Sequence, residues 1–501
     1  AEHPPVLNRY GDVLPGREKN WATGVVNINF AALLIFPVKN IYHKYKEHYK
    51  TNLNLAIPVV ISQLGHTLVH TADSIIVGHF AGTIQLAAVS LVNSIFMVVM
   101  VVGIGISYGL TPLIAQENGR KNYQECGKLL SNSLLINIIT GLLLFGILYL
   151  GSLFVLSNLD QSPEVVEHAR PYLNLLALSI LPLMLFNTFK QFTEGLGFTR
   201  QAMMISVWGN VINVILGVIL VRGMFGIEPM GVRGVGIATL VDRTIMALAM
   251  GGYVLYSSNF APYLREFTRK QISWTQVRKI FGIGGPVAMQ YAFEVSAFSG
   301  AAIIMGTIGA IEQAAHQVAI AMASMTYMMA SGISAAATIR TGNNFGRHNY
   351  TALRLSAISS YHIVLAFMAI TAGLFIVLNH VLPWIYTSDM TVIAIAAQLL
   401  IIAGFFQLFD GAQVVGLGVL RGMGDVNIPT LITFIAYWLV GLPVAYTLGI
   451  LFDMGADGIW YGLTLGLLVS AGLLYIRFDR LSKKLAATVP APTANKMTAG
   501  L

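Results

Sequence analysis

The chain has 501 residues, of which 55% are hydrophobic and 10% charged, with a mean hydropathy of +0.69. Soluble domains carry about 25% charged residues, so a soluble globular class is excluded. The single cysteine, Cys126, excludes an intrachain disulfide and a thiolate metal cluster, and the net charge of +8 is distributed in a way that reports membrane topology and offers no nucleic-acid site.

In chain order, residues 1–50 form an N-terminal extension. Its segment "VVNINFAALLIFPV" (25–38) is too short to span a bilayer and is predicted to lie at the interface as a short helix. Twelve apolar stretches follow, each long enough to cross. They run near 53–78, 85–116, 129–156, 170–194, 202–222, 231–257, 277–307, 313–340, 353–384, 391–420, 427–450 and 456–476. Runs this long and this apolar satisfy their backbone groups in lipid only as helices. The fold class is therefore all-α and polytopic. The polar, basic linker 258–276 separates an N-terminal six-helix bundle, 51–257, from a C-terminal one, 277–480. The tail, 481–501, is small, polar and proline-containing, and is expected to be disordered.

Lys and Arg placement predicts orientation. Lys39, Lys44, Lys46 and Lys50 precede span one, Arg120, Lys121 and Lys128 follow span two, and Arg200 lies at the next even-numbered loop. Arg265, Arg269, Lys270, Arg278 and Lys279 fill the central connection; Arg340, Arg347, Arg354 and Arg421 mark later even-numbered loops. Arg477, Arg480, Lys483 and Lys484 close the chain, while the opposite side has Arg170, Arg222 and Arg233. Both termini are thus expected in the cytoplasm, in a bacterial inner membrane.

The halves read as copies. "ENGRKNY" (117–123) recurs as "NFGRHNY" (344–350), and "AIPVV" with Pro58 recurs as "GGPVA" with Pro286. "LFNTFKQFTEGLG" (185–197) aligns with "LFDGAQVVGLGVL" (408–420). An even number of spans per copy inserts both copies in the same orientation. The bundles are therefore expected to be related by a pseudo-two-fold axis along the membrane normal, with substrate bound between them.

Three carboxylates interrupt the apolar runs: Asp73 on span one, Glu294 on span seven and Asp410 on span ten. An ionised group at membrane depth costs several kcal/mol, so each is a candidate functional residue. The repeat aligns Asp73 with Ala301, Glu294 with His66 and Asp410 with Asn187, so the acids are not shared scaffold. Helical spacing gathers Gln63, His66, His70 and Asp73 into one stripe, Gln290 with Glu294 on a second face, and Gln407, Asp410 and Gln413 on a third. Taken singly, the Gln and His residues, with His316 and Gln317 on span eight, read as interhelical packing groups. Phe293, Phe298, Phe405, Phe406, Phe409 and Tyr291 lie near the acids in sequence and offer π faces to a cation. A buried carboxylate is neutralised by a proton or by a metal cation. Competition of an organic cation for the same charge, combined with alternating access, is antiport.

The segments "LAIPVVISQLGHTLVHTADSIIVGH", "LTPLIAQENGRKN", "FEVSAF", "AAHQVA" and "DGAQVVGLGVLRGMGD" resemble the multidrug and toxic compound extrusion (MATE) family, in its NorM-like branch, over about 53–480. The resemblance implies exchange of sodium or protons for organic cations. It implies that Glu294 and Asp410 belong to a cation site in the second bundle, as sodium ligands if sodium drives the cycle, and that Asp73 is the coupling acid of the first. Two departures stand out. Where the DinF-like branch carries an acid on span five after an Asn, this chain has Asn213 followed four residues later by Gly217. Where NorM-like proteins often place a phenol one turn before the span-ten acid, this chain has Phe406, one oxygen ligand fewer. That loss and the His66–His70 stripe beside Asp73 favour protons; the Glu294–Asp410 pair also suits sodium.

The function expected is a secondary active multidrug efflux antiporter, acting as a monomer in the bilayer on small organic cations, with no cofactor beyond the coupling ion. The alternative is a lipid-linked saccharide flippase of a related superfamily, which would want cations in its cavity; Lys190 and Arg243 are the intramembrane candidates. An enzyme is not expected: HExxH, GxSxG and a P-loop are all missing from the sequence.

Overall fold

The computed structural model describes residues 30–158 and 162–488. Among the described residues, twelve helices are long and apolar enough to span a membrane. They are α1 (His43–Phe80), α2 (Thr83–Gly119), α3 (Tyr123–Phe154), α4 (Pro163–Gly195), α5 (Thr199–Arg222) and α6 (Val232–Tyr256) in the first half. In the second half they are α7 (Trp274–Ile308), α8 (Ala310–Gly346), α9 (Tyr350–Val377), α10 (Met390–Gly422), α11 (Asn427–Leu451) and α12 (Gly455–Ala487). No strand occurs among the described residues. Several spans run past their expected ends: α4 begins at Pro163 and α12 at Gly455, the latter continuing helical to Thr488. Span nine ends earlier, at Val377, where Leu382–Ile385 forms a short 3-10 turn. Of the predicted interfacial segment, 25–29 lie outside the described residues, and a helix runs from Phe30 without a break into α1. Residues 489–501 of the tail also lie outside them.

Local chemistry sets the ends of the helices. Ser273 caps α7 by accepting from the Gln276 amide at 3.4 Å, Asn349 caps α9 by accepting from Ala352 at 3.0 Å, and Asp389 caps α10 by accepting from Thr391 at 2.8 Å and Val392 at 3.3 Å. The repeat is visible in backbone detail. Lys121 and His348, equivalent positions of the two "GR" turns, both adopt left-handed φ, 61° and 56°. Each is followed by an Asn whose amide returns to the helix behind it, Asn122 to Glu117 at 2.9 Å and Asn349 to Asn344 at 3.0 Å. The same sequence thus ends α2 and α8 with the same left-handed cap.

The two halves form two bundles with separate cores. In the first, Val89, Phe96, Tyr172 and Val235 bring α2, α4 and α6 together. In the second, Ala301, Ala319, Phe406 and Trp460 bring α7, α8, α10 and α12 together. The bundles meet at the end that carries Lys121, Lys279, Arg347 and Arg354, here called the basic end. A Cβ on Gly109 of α2 would lie 2.7 Å from Gly284 Cα of α7, and one on Gly284 would lie 2.6 Å from the Ile106 carbonyl oxygen, so these backbones touch. Lys279 Nζ of α7 sits 3.4 Å from Glu117 and 3.6 Å from Glu125 of the other half.

The exchange is reciprocal. Ile280 and Val287, at the start of α7, are buried in a first-half cluster with Ile106 and Leu110. Asn52, at the start of α1, donates to Ser359 and Ser360 of α9, both at 2.8 Å. The expected boundaries 51–257 and 277–480 therefore cut across the packing: the first turns of α1 and α7 each sit on the opposite bundle.

Candidate functional site

Buried polar side chains gather in three places. The largest is a cavity of about 350 Å³ inside the second bundle, walled by α7, α8 and α10. Glu294 and Asp410 enter it from α7 and α10, and both are buried. Tyr327 of α8 lies within electrostatic reach of Glu294 and also lines the cavity. Phe298 and Phe406 form an aromatic wall, ring centroids 6.0 Å apart, and His316 lies further along α8. A second cavity, of about 140 Å³, lies inside the first bundle. His66, His70, Asp73, Asn187 and Asn213 line it, together with Asp242 and Arg243 of α6. The third is a narrow cleft of about 50 Å³ between the bundles, near the basic end, lined by Lys190, Glu194, Gln290, Glu294 and Arg421 among others. Glu294 thus faces both the second-bundle cavity and the cleft.

The neighbours singled out in the sequence divide. Asn187, the repeat partner of Asp410, does reach a cavity, and Asn213 donates to Thr239 at 3.3 Å beside it. Gln290 faces the cleft rather than the acid cavity; it donates to Thr430 at 3.0 Å and accepts from Arg421 at 3.3 Å. Gln407 is turned to α9, accepting from Thr371 at 3.1 Å, and Gln413 accepts from Tyr437 at 2.8 Å. The shared helix face of Gln407, Asp410 and Gln413 is therefore wide enough to meet three different neighbours, and only Asp410 reaches the cavity. Phe293 packs on Phe434 of α11, ring centroids 5.1 Å apart, and does not line the cavity.

The missing phenol at Phe406 has a tertiary counterpart. Tyr327 and Tyr437 come from α8 and α11, and both lie within electrostatic reach of Glu294 and Asp410. Their distance from the acids in sequence hides them.

The count of three membrane acids was short. Asp242 in "TLVDRTIMALAM" and Glu194 in "KQFTEGLG" are also buried on spans. Each carries the same signal as Asp73, a carboxylate within an apolar run. Asp73 Oδ1, Asp242 Oδ1 and Asn213 Oδ1 are buried acceptors with no protein partner, all in residues lining the first-bundle cavity. Arg243 lies within electrostatic reach of both Asp73 and Asp242 and donates to Ser179 Oγ at 2.7 Å. Lys190 Nζ donates to Ser62 at 3.2 Å and stands 4.0 Å from Glu194. Arg421, expected in a loop, stands in the last turn of α10 and lines the cleft. No group of three or more His, Cys, Asp or Glu is placed to hold a metal ion among the described residues.

The chain was compared with known proteins. The MatE family profile matches twice, over 58–219 and 286–447, one match per half, starting at Pro58 and Pro286. The chain is 32% identical to the multidrug resistance protein NorM of Vibrio parahaemolyticus over 441 residues, covering 87% of this chain and 96% of that one. It is 32% identical to the multidrug resistance protein MdtK of Edwardsiella ictaluri over 446 residues, covering 88% and 97%. Among solved structures, the eukaryotic MATE transporter AtDTX14 superposes with a TM-score of 0.80 at 21% identity, covering 89% of this chain and 99% of that one. An outward-facing multidrug resistance MATE family transporter superposes with a TM-score of 0.81 at 20% identity, covering 89% and 98%. The paired acids in a bundle interior, the duplicated architecture and the doubled profile match agree: this chain belongs to the MATE family of membrane transporters.

Proposed function

We propose that the protein is a secondary active multidrug efflux antiporter that exports small organic cations from a bacterial cytoplasm in exchange for protons or sodium. The observation that carries this reading is Glu294 and Asp410 in one aromatic-walled cavity. Two carboxylates with no Lys or Arg among the residues lining that cavity hold negative charge away from bulk water. A proton, a sodium ion or an organic cation each relieves that charge. Because they relieve the same charge, they exclude one another, and exclusion drives exchange. The names of the NorM and MdtK relatives support multidrug resistance as the biological setting.

The first-bundle cavity is a second coupling position. Asp73 and Asp242 carry two negative charges against the one of Arg243, and their unpartnered oxygens accept a proton there. In this reading both termini are cytoplasmic, so the basic end is the cytoplasmic end. The close approach of Gly109 to Gly284 then closes the cytoplasmic side. The cleft cations Lys190 and Arg421, with Arg243 in the first-bundle cavity, favour a flippase for an anionic lipid-linked saccharide. Glu194 and Glu294 stand in the same cleft and offset them, which weighs against that alternative.

The deciding experiment is uptake and release of a fluorescent organic cation by proteoliposomes, with pH and sodium gradients imposed separately. Movement of the cation against its own gradient under either ion gradient supports the antiport reading. Movement under neither would refute it.

A further inference from the structure

Among the polar groups of the second-bundle cavity other than the acids, His316 is the one held in place by a buried donor behind it. His316, near the start of α8, is 1% exposed and lines that cavity. The indole N–H of Trp460, on α12, points at His316 Nδ1 over 3.2 Å, with the rings edge to face at 5.8 Å. An indole nitrogen is only a donor, so Nδ1 is the acceptor, and an imidazole accepting at Nδ1 carries its hydrogen on Nε2. Trp460 is fully buried and is not part of the cavity wall, whereas His316 is. The ring edge turned to the cavity is therefore the one that bears Nε2–H. Among the described residues, the Trp460 bond is the one hydrogen bond made by this ring.

The donor is held rigidly. Trp460 packs on Phe406 at 5.2 Å between ring centroids, and Phe406 packs on Phe298 at 6.0 Å. Locked neighbours of this kind make a polar group discriminating rather than adaptable. The cavity is also polarised along its length. Tyr327 lies within electrostatic reach of Glu294 and Asp410, and the helix rise from Tyr327 back to His316 is about 16 Å. The cavity has an acid region deep in the bundle, an aromatic middle and, toward its other end, the fixed N–H donor of His316 beside the flexible amide of Gln317.

We propose that His316 is a specificity-determining residue, donating Nε2–H to an oxygen acceptor on the transported organic cation while the charge of that cation sits at Glu294 and Asp410. This rests on the antiport reading above. The preferred substrate class is an elongated aromatic cation with a carbonyl, ester or ether oxygen on the order of 10 to 15 Å from its charged centre. A cation without that oxygen leaves a buried donor unpaired, and a site built around a hydrogen bond disfavours a ligand that lacks the partner.

The test uses the full chain and two probes, tetramethylrhodamine methyl ester, which carries an ester oxygen, and ethidium, which carries no oxygen. His316→Phe keeps an aromatic ring, somewhat larger than imidazole, and removes the donor. It should raise the KM for the ester about fivefold and leave that for ethidium unchanged or lower, since the unpaired donor that disfavours ethidium is gone. His316→Gln, which restores a donor, should recover at least half of the loss. Trp460→Phe frees the tautomer and should fall between wild type and His316→Phe; it carries the test should His316→Phe fail to accumulate. An equal change for both probes overturns the proposal, because a merely structural role would move them together. Binding of both probes to detergent-purified protein separates this from the reading beneath it. Selective loss of ester binding without any ion-driven transport would refute antiport and leave the role of His316 standing.

Discussion

Arg421 donates from Nη2 to Gln290 Oε1 at 3.3 Å, tying the last turn of α10 to α7 one turn away from Glu294. Its guanidinium also lies 5.8 Å from the Tyr291 ring centroid. A fixed cation is therefore built into the cleft that Glu294 faces. Any ion or substrate that approaches Glu294 through the cleft meets a charge that cannot leave. Asp410 lies behind it, in the cavity and not in the cleft, and this difference shapes the expected effects of mutation.

Asp410→Asn should abolish gradient-driven export while the protein still accumulates and purifies as a single species. The substitution removes the charge and keeps the size of the side chain. Wild-type efflux rates from well-expressed Asp410→Asn in proteoliposomes would remove Asp410 from the mechanism.

Glu294→Gln should impair coupling more than His66→Gln, its repeat counterpart, by at least tenfold in initial rate. Glu294 shares its cavity with Tyr327 and a second acid, whereas His66 lines a separate cavity in the other bundle. Both variants are compared in one vesicle assay. Equal losses would show that the asymmetry between the halves has no functional meaning.

The coupling ion should be a proton. In sodium-free buffer and at clamped membrane potential, adding substrate to proteoliposomes should change the proton concentration, read with a pH-sensitive dye. Strict dependence on a sodium gradient, with no substrate-linked pH change, would reassign Glu294 and Asp410 as sodium ligands.

Gly284→Leu should reduce turnover by at least tenfold without loss of expression. A Cβ at this position already meets the Ile106 carbonyl oxygen at 2.6 Å, and backbone cannot give way as a side-chain tip does. The basic end would then be held apart. Labelling of a cysteine placed at Ser334, in the cleft, by a membrane-impermeant reagent from that side should rise. Unchanged labelling with normal transport would mean that this contact does not have to close.

Asp389 lies outside the spans, and its bonds from the Thr391 and Val392 amides hold its carboxyl below the usual carboxylate range. A lowered pKa means stabilisation that is present above the ordinary value of about 4 and lost as pH falls below it. Asp389→Ala should therefore lower the melting temperature of purified protein slightly at neutral pH. The difference from wild type should shrink as the pH is taken below about 4. A gap that is constant with pH would show that the loss is not that of a charged cap.

Much of the architecture was legible in the linear chain. Apolar length dictates helices, because a bilayer offers the backbone no other hydrogen-bond partner. The repeated Pro58 and Pro286, and the "GR" turns ending at Lys121 and His348, announce the duplication, since local sequence decides local backbone. Asp73, Glu294 and Asp410 stood out because an acid in an apolar run needs no partner to be noticed; Asp242 and Glu194 carried the same mark. What only tertiary structure decided is which of these groups meet. Helical periodicity puts Gln407, Asp410 and Gln413 on one face, yet the crossing of α9, α10 and α11 sends Gln407 to Thr371, Gln413 to Tyr437 and Asp410 alone into a cavity. Tyr327, Trp460 and Arg421 reach the site from other helices or other ends, and the first turns of α1 and α7 change bundles. Hydropathy is a property of one segment against lipid, whereas a cavity is a property of several helices packed against one another, and nothing along a single helix records how its neighbour will cross it.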